Sequence, residues 1–176
     1  MAVTSSNRAR LSFPTDEQIL IEREFAAPRH LVFQAFTTPE LVKRWWHANR
    51  GEVTLVEIDL RVGGGYRYAM IACSGPEVAF HGEYREISPD ERIVATETYE
   101  GVPEGVSEED ATTLNTTTFA ETAAGTMLTI LIEANNKMSR DAIIASGMED
   151  GLQDALDLLE QLATSLRNPA QTEIDG

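Results

Sequence analysis

The stretch MSRDAIIASGMEDGLQDALDLLEQLATSL, residues 138–166, decides the fold. It predicts one long amphipathic helix, because apolar residues recur every three or four positions. Those residues are Ile144, Met148, Leu152, Ala155, Leu159, Leu162 and Leu166. Ser139 is the expected cap at the start of the helix. Gly147 and Gly151 would lie one turn apart in its interior, where each glycine costs about 1 kcal/mol relative to Ala. This choice predicts a helix face without side chains, which either packs closely on backbone or borders a cavity.

Upstream of this helix, the chain alternates apolar and polar residues with the period of β-strands. The predicted strands cover residues 16–26, 53–58, 66–71, 78–87, 92–99, 112–121 and 126–134. Two short helices are predicted after the first strand, because Pro28 and Pro39 suit the first turn of a helix. The short turns between the later strands indicate an antiparallel sheet. The terminal helix is the predicted element long enough to cover the sheet, so we expect an α+β fold in which a sheet of about seven strands curves around it.

Length and composition favour a soluble domain in a reducing compartment. The 176 residues predict one domain over 15–167, with a flexible lead over 1–14 and a polar tail over 168–176. The net charge of −15 disfavours nucleic acid and anionic membranes as partners. Cys73 is the one cysteine, which excludes an intrachain disulfide and is consistent with a cytoplasmic location. No apolar run approaches the length of a membrane-spanning helix, and the dispersed histidines predict neither a metal nor another cofactor.

A set of short motifs, taken in order, resembles a known superfamily. The motifs are IEREF at 21–25, TPEL at 38–41, WW at 45–46, DLRVGG at 59–64, GEYREI at 82–87, GTMLT at 125–129 and SGM at 146–148. They resemble the START-like superfamily, also called SRPBCC, and within it the branch named for the activator of heat-shock protein 90 ATPase, often described as polyketide-cyclase-like. The resemblance covers about residues 16–166 and implies the helix-grip (Bet v-like) fold. The branch usually has Trp where this chain has Leu152, a change expected either to enlarge the cavity or to change its polarity.

The resemblance and the strand alternation together predict a ligand pocket between the sheet and the terminal helix. The expected lining is Trp46, Tyr66, Tyr68, Met70, Phe80, Tyr84, Glu97, Tyr99, Gly147, Met148, Gly151 and Leu152. Such a lining is apolar and aromatic with a few polar groups, as ligand pockets are. The alternative for each aromatic residue alone is ordinary core packing.

Glu97 is the candidate catalytic residue. Alternation places it on the same strand face as Ile93, Ala95 and Tyr99. If that face points inward, an apolar cavity would raise the pKa of the carboxyl group and suit it to general acid or base catalysis. The alternative is a carboxylate exposed to water at the edge of the sheet, the more common position for an acid. The inward face of residues 112–121 is not assigned by the pattern.

Three functions follow as hypotheses. The first is binding of a small hydrophobic or aromatic molecule in the pocket. The second is a polyketide cyclase or dehydrase activity in the same cavity. The third is a chaperone-associated interaction module that works through its surface, and a homodimer is a further expectation.

Overall fold

The computed structural model describes residues 8–167 and has the predicted α+β architecture. Its strands are β1 (Arg10–Ser12), β2 (Gln18–Phe25), β3 (Gly51–Ile58), β4 (Gly65–Ala72), β5 (Glu77–Ser88), β6 (Arg92–Tyr99), β7 (Thr112–Glu121) and β8 (Thr126–Ala134). Its helices are α1 (Arg29–Thr37), α2 (Pro39–Val42), α3 (Lys137–Ala145) and α4 (Met148–Ser165). Residues 1–7 of the predicted lead and the predicted tail over 168–176 lie outside the described residues.

The strands form one antiparallel sheet in the order β1-β2-β8-β7-β6-β5-β4-β3. It has eight strands among the described residues, one more than predicted, because β1 lies within the stretch that we expected to be a flexible lead. Three residues are too few to show a periodic pattern. Gln153 of α4 holds the chain just before β1, since its side chain accepts a hydrogen bond from the N–H of Ala9 at 2.9 Å and donates one to the Ala9 carbonyl at 2.8 Å.

The prediction of one uninterrupted terminal helix is wrong, because the chain breaks between α3 and α4. Gly147 adopts a left-handed conformation with φ of 81°, which a glycine reaches without steric cost. Gly147 therefore caps α4, and Gly151 lies in the first turn of α4 rather than deep inside a helix. Ser139 is not the cap of α3. The side chain of Asn136 takes that role and accepts a hydrogen bond from the N–H of Ser139 at 2.8 Å.

The core lies between the sheet and α4. Leu156, Leu159 and Leu162 of α4 are buried against core residues that include Phe25 and Phe119. The predicted apolar stripe does not continue across the helix break, because Ile144 of α3 is exposed and Leu156, which the stripe omitted, is buried.

A buried cation fixes α4 to the sheet. Arg23 of β2 is 2% exposed, and its guanidinium group donates to Asp157 at 2.6 Å and to Glu160 at 3.2 Å. Glu160 also accepts a hydrogen bond from the N–H of Ala26 at 3.1 Å. These contacts set the position of the C-terminal half of α4 across β2.

Candidate ligand-binding site

Six aromatic side chains lie in continuous contact on the inner face of β4, β5 and β6. Five belong to these strands, and Trp46 comes from the turn after α2. The ring centroids are 5.4 Å apart for Tyr84 and Tyr66, 5.2 Å for Tyr66 and Tyr68, 5.6 Å for Tyr68 and Trp46, 6.0 Å for Trp46 and Phe80, and 5.1 Å for Phe80 and Tyr99. We call this set the aromatic row. It unites six of the residues that the sequence placed in the pocket.

The aromatic row keeps accessible surface although it faces the concave side of the sheet. Tyr84 is buried, and Tyr99 at the other end is 36% exposed. The four rings between them are half-buried. Phe25 and Phe119 of the core, by contrast, are fully buried. The aromatic row therefore differs from the sealed core, because most of its rings keep surface that another molecule could contact.

A glycine makes room for one member of the aromatic row. The hydroxyl of Tyr66 on β4 reaches across β5 and donates a hydrogen bond to the carbonyl of Thr96 on β6 at 2.6 Å. The ring passes over Gly82, where a Cβ atom would lie 2.7 Å from the Tyr66 ring and would collide with the Thr96 carbonyl. Gly82 is thus required for the position of Tyr66.

Glu97 lies on the inner face beside the aromatic row, and not at a water-exposed edge. Its strand, β6, is flanked by β5 and β7, and Glu97 itself is half-buried opposite Thr113. Burial raises the pKa of the Glu97 carboxyl group to about 7, although a hydrogen bond from Asn115 opposes the shift. Glu97 is therefore half-buried in the middle of the sheet, whereas the alternative placed it in water at the edge of the sheet.

Asn115, on the inner face of β7, interacts with Glu97 and was not among the residues predicted for the site. Asn115 carries the amide that donates to Glu97, and its oxygen accepts a hydrogen bond from the Thr113 hydroxyl at 2.8 Å. Thr117 and Phe119 share this face and are buried. Phe119 is typical of a core, so counting back from it by twos along β7 would have placed Asn115 on the inner face.

The hydroxyls of Tyr66, Tyr68 and Tyr84 stay protonated at neutral pH. Burial raises the pKa of Tyr84 to about 12 and holds the pKa values of Tyr66 and Tyr68 well above the ordinary range. After burial, the neighbouring Tyr84 is the next cause of the raised pKa of Tyr68. Glu97 is therefore the group of this cluster that changes charge near pH 7.

The remaining predicted pocket residues are Met70 of β4 and four residues at the start of α4. Met70 is half-buried on β4, opposite Val78, and Met148 and Leu152 of α4 pack against the core. A Cβ atom added to Gly147 or Gly151 would find no other atom within 4 Å. The two glycines therefore face open space and do not pack on backbone.

The described residues offer little evidence for other kinds of site. Within residues 8–167, no three or more His, Cys, Asp or Glu side chains are grouped so that they could hold a metal ion. None of the helices described here is both long and apolar enough to cross a membrane. Cys73 is exposed.

The chain belongs to the family described as activator of Hsp90 ATPase homolog 1-like protein, which matches residues 26–164. This match confirms the resemblance seen in the motifs. No curated protein matches the chain.

Solved structures confirm the helix-grip fold. A protein from Rhodobacter sphaeroides is 22% identical, with 90% of this chain and 99% of that chain covered and a TM-score of 0.80. A protein from Chromobacterium violaceum is 31% identical over 82% of this chain and 96% of its own, with a TM-score of 0.69. An AHSA1-like protein from Aeromonas hydrophila is 21% identical over 85% and 93%, with a TM-score of 0.62.

Proposed function

We propose that this protein binds a small apolar or aromatic molecule in the cleft between the curved sheet and α4. The exposure of the aromatic row carries the proposal, because five of its six rings keep accessible surface on the concave face. Covering apolar surface gains about 25 cal/mol per Å². A ligand that covers roughly 100 Å² of these rings would thus gain about 2.5 kcal/mol from their burial alone.

Calorimetric titration with naphthalenemethanol, a neutral aromatic alcohol, tests the proposal against two matched truncations. Phe80→Ala removes a ring of the aromatic row, whereas Ile71→Ala removes an exposed apolar side chain on the outer face of β4. We expect Phe80→Ala to weaken binding about tenfold, or about 1.4 kcal/mol, and Ile71→Ala to leave it unchanged. Equal loss in both variants, or no binding to the wild type, would contradict a site at the aromatic row.

The two tryptophans provide an independent readout of where the ligand lies. Trp46 is a half-buried member of the aromatic row, whereas Trp45 is buried and donates its indole N–H to the carbonyl of Ala35 at 2.9 Å. In a ¹⁵N NMR spectrum, the indole signal of Trp46 should shift on binding more than that of Trp45. Native mass spectrometry of freshly purified protein would show whether a natural apolar ligand accompanies it.

Proton-transfer catalysis in the same cleft is the second candidate, favoured by Glu97. A carboxyl group with a pKa of about 7 both accepts and donates a proton at neutral pH, as a general acid or base requires. A cyclase or dehydrase acting on a polyketide-like substrate would use this group with the neutral hydroxyls of Tyr68 and Tyr84. Glu97→Gln separates the two functions, because an enzyme would lose turnover while a binder would keep its affinity for a neutral ligand.

The family description itself suggests the third role, a chaperone-associated module. No observation on the described surface favours it. If the protein stimulates ATP hydrolysis by heat-shock protein 90 through its surface, Phe80→Ala should leave that stimulation intact. The homodimer also stays a prediction, to be tested by light scattering.

A further inference from the structure

We propose that the site selects organic cations, and that its ligand is an amine with an aromatic body whose ammonium group pairs with Glu97. This inference rests on the proposed function, since it names the ligand class of the same cleft. It is carried by the distribution of charge on the inner face and by the rings beside the carboxyl group.

Strand alternation places two charged side chains on the inner face of β4 to β7: the half-buried Glu97, and Glu121, which is exposed at the last residue of β7. The uncharged inward residues of these strands are Tyr66, Tyr68, Met70, Ala72, Val78, Phe80, Gly82, Tyr84, Ile87, Ile93, Ala95, Tyr99, Thr113, Asn115, Thr117 and Phe119. From α3 and α4, the half-buried apolar side chains packed on this core are Ile143, Met148, Leu152 and Leu158. The half-buried charged side chains of these helices pair elsewhere: Glu160 with Arg23, Asp154 with Arg50, and Arg140 with Asp141. A carboxylate in these surroundings lacks a cationic partner from the strands that surround it.

The cations that the structure buries elsewhere are already paired. Glu97 pairs with Thr113 of β7, Thr113 pairs with Ala134 of β8, and the N–H of Ala134 donates to the carbonyl of Glu17 just before β2. Glu17 is therefore level with Glu97 in the sheet, and Arg23 lies six residues after Glu17. At about 3.3 Å per residue, this puts Arg23 about 20 Å away along the sheet. Arg23 is also paired with two carboxylates of α4. Arg140 of α3 is paired with Asp141 at 2.8 Å.

The rings beside Glu97 suit a cation. The Glu97 charge is close enough to Tyr66 and Tyr68 to contribute to their raised pKa values. Trp46 lies in ring contact with Tyr68. Aromatic faces attract ammonium groups, with Trp the strongest, and this attraction grows where water is excluded. An ammonium group at Glu97 would therefore gain an ion pair and ring contacts together.

The other ligand charges fit less well. A carboxylate ligand would face the charge of Glu97 without a compensating cation among the surrounding strands. A neutral alcohol would gain a hydrogen bond but no ion pair. The net charge of −15 also favours the approach of cations over anions.

Three naphthalene derivatives with the same body test this selectivity by calorimetry at about pH 8: naphthylmethylamine, naphthalenemethanol and naphthoic acid. In the wild type, we expect the amine to bind at least about tenfold more tightly than the alcohol, and the acid to bind most weakly. Glu97→Gln should abolish the advantage of the amine and keep the affinity for the alcohol. Glu104→Gln, which removes one charge from the exposed loop after β6, should keep the advantage.

The wild type alone gives a second measurement, in case Glu97→Gln does not fold. Between about pH 8 and pH 5.5, Glu97 gains a proton, whereas the ligand ammonium keeps its own. Tyr66 and Tyr68, the titratable groups that interact with Glu97, and the neighbouring Tyr84 stay protonated throughout. The advantage of the amine over the alcohol should therefore fall as the pH is lowered.

The outcomes separate this inference from the proposed function. If alcohol and amine bind equally, or if the preference is unchanged both by Glu97→Gln and by pH, the selection of cations is overturned and the binding function stands. If none of the three compounds binds, both proposals are overturned.

Discussion

The raised pKa of Glu97 predicts that the site costs stability at neutral pH and that Glu97→Gln recovers it. The folded protein holds the carboxyl proton up to about pH 7, whereas the ordinary pKa is 4.5. As the pH rises from 4.5 through 7, the unfolded chain releases this proton while the folded protein still holds it, so folding becomes less favourable. Above about pH 7 the folded protein releases the proton as well, and the free energy of unfolding falls no further. A difference of 2.5 pKa units at 1.36 kcal/mol each corresponds to about 3 kcal/mol.

Urea unfolding of the wild type and Glu97→Gln across this pH range measures the effect. The difference in free energy of unfolding should be near zero at about pH 4 and should reach about 3 kcal/mol in favour of the variant above about pH 8. Glu104→Gln is the control, because its side chain lies in an exposed loop, and we expect no comparable dependence on pH. A ¹³C NMR titration of the Glu97 carboxyl group would report its pKa directly.

A difference between wild type and Glu97→Gln that does not change with pH would refute the reasoning. It would mean that Glu97 has the same pKa in the folded and unfolded states, and that the variant acts only through packing or the hydrogen bond from Asn115. A difference that favours the wild type at high pH would show that the folded state stabilises the charged carboxylate.

Three further predictions concern the elements that build the site. Gly147→Ala should destabilise the protein by about 1 kcal/mol, because the left-handed backbone at this position is strained for alanine. Gly151→Ala should stabilise it by about 0.5–1 kcal/mol, because this position is helical and has open space around it. Equal effects of the two variants in urea unfolding would argue against the helix break. Gln153→Ala should speed amide hydrogen exchange in β1 while leaving β6 protected, and unchanged exchange in β1 would contradict its anchoring role. Glu160→Gln should lower the free energy of unfolding by about 3 kcal/mol because it removes a charged partner of the buried Arg23, and a loss below about 1 kcal/mol would show that Asp157 alone suffices.

Much of the aromatic row could be predicted because alternation is a local property. Tyr66 and Tyr68 are two residues apart on β4, so any strand over these residues puts them on one face. Phe80 and Tyr84 follow by the same rule on β5, which a short turn joins to β4. The pattern predicted the shared face, and the ring contacts confirm it. Their role in binding a ligand stays a prediction.

The environment of Glu97 could not be predicted, because it depends on residues of other strands. Its pKa is set by burial under neighbouring side chains and by Asn115 of β7, eighteen positions away. Alternation back from Phe119 could have placed Asn115 on the inner face of β7, but not opposite β6, because the pairing of the two strands is not a local property. Arg23 shows the same limit, since a charged residue in a strand is usually assigned to the solvent face, and here two carboxylates of α4 hold it inside.

The sequence by itself determined the α+β class, the succession of the main strands along the chain, their antiparallel pairing and the faces of β4 and β5, because periodicity and short turns act within a few residues. Only the tertiary structure decided β1, the break at Gly147 and the ion pairs of Arg23. The contacts of Ala9 with Gln153 and of Arg23 with Asp157 join residues 144 and 134 positions apart, so no local pattern records them. The break at Gly147 could not be predicted for a different reason. Glycine adopts helical and left-handed backbone with similar ease, so the packing of the two helices selects between them.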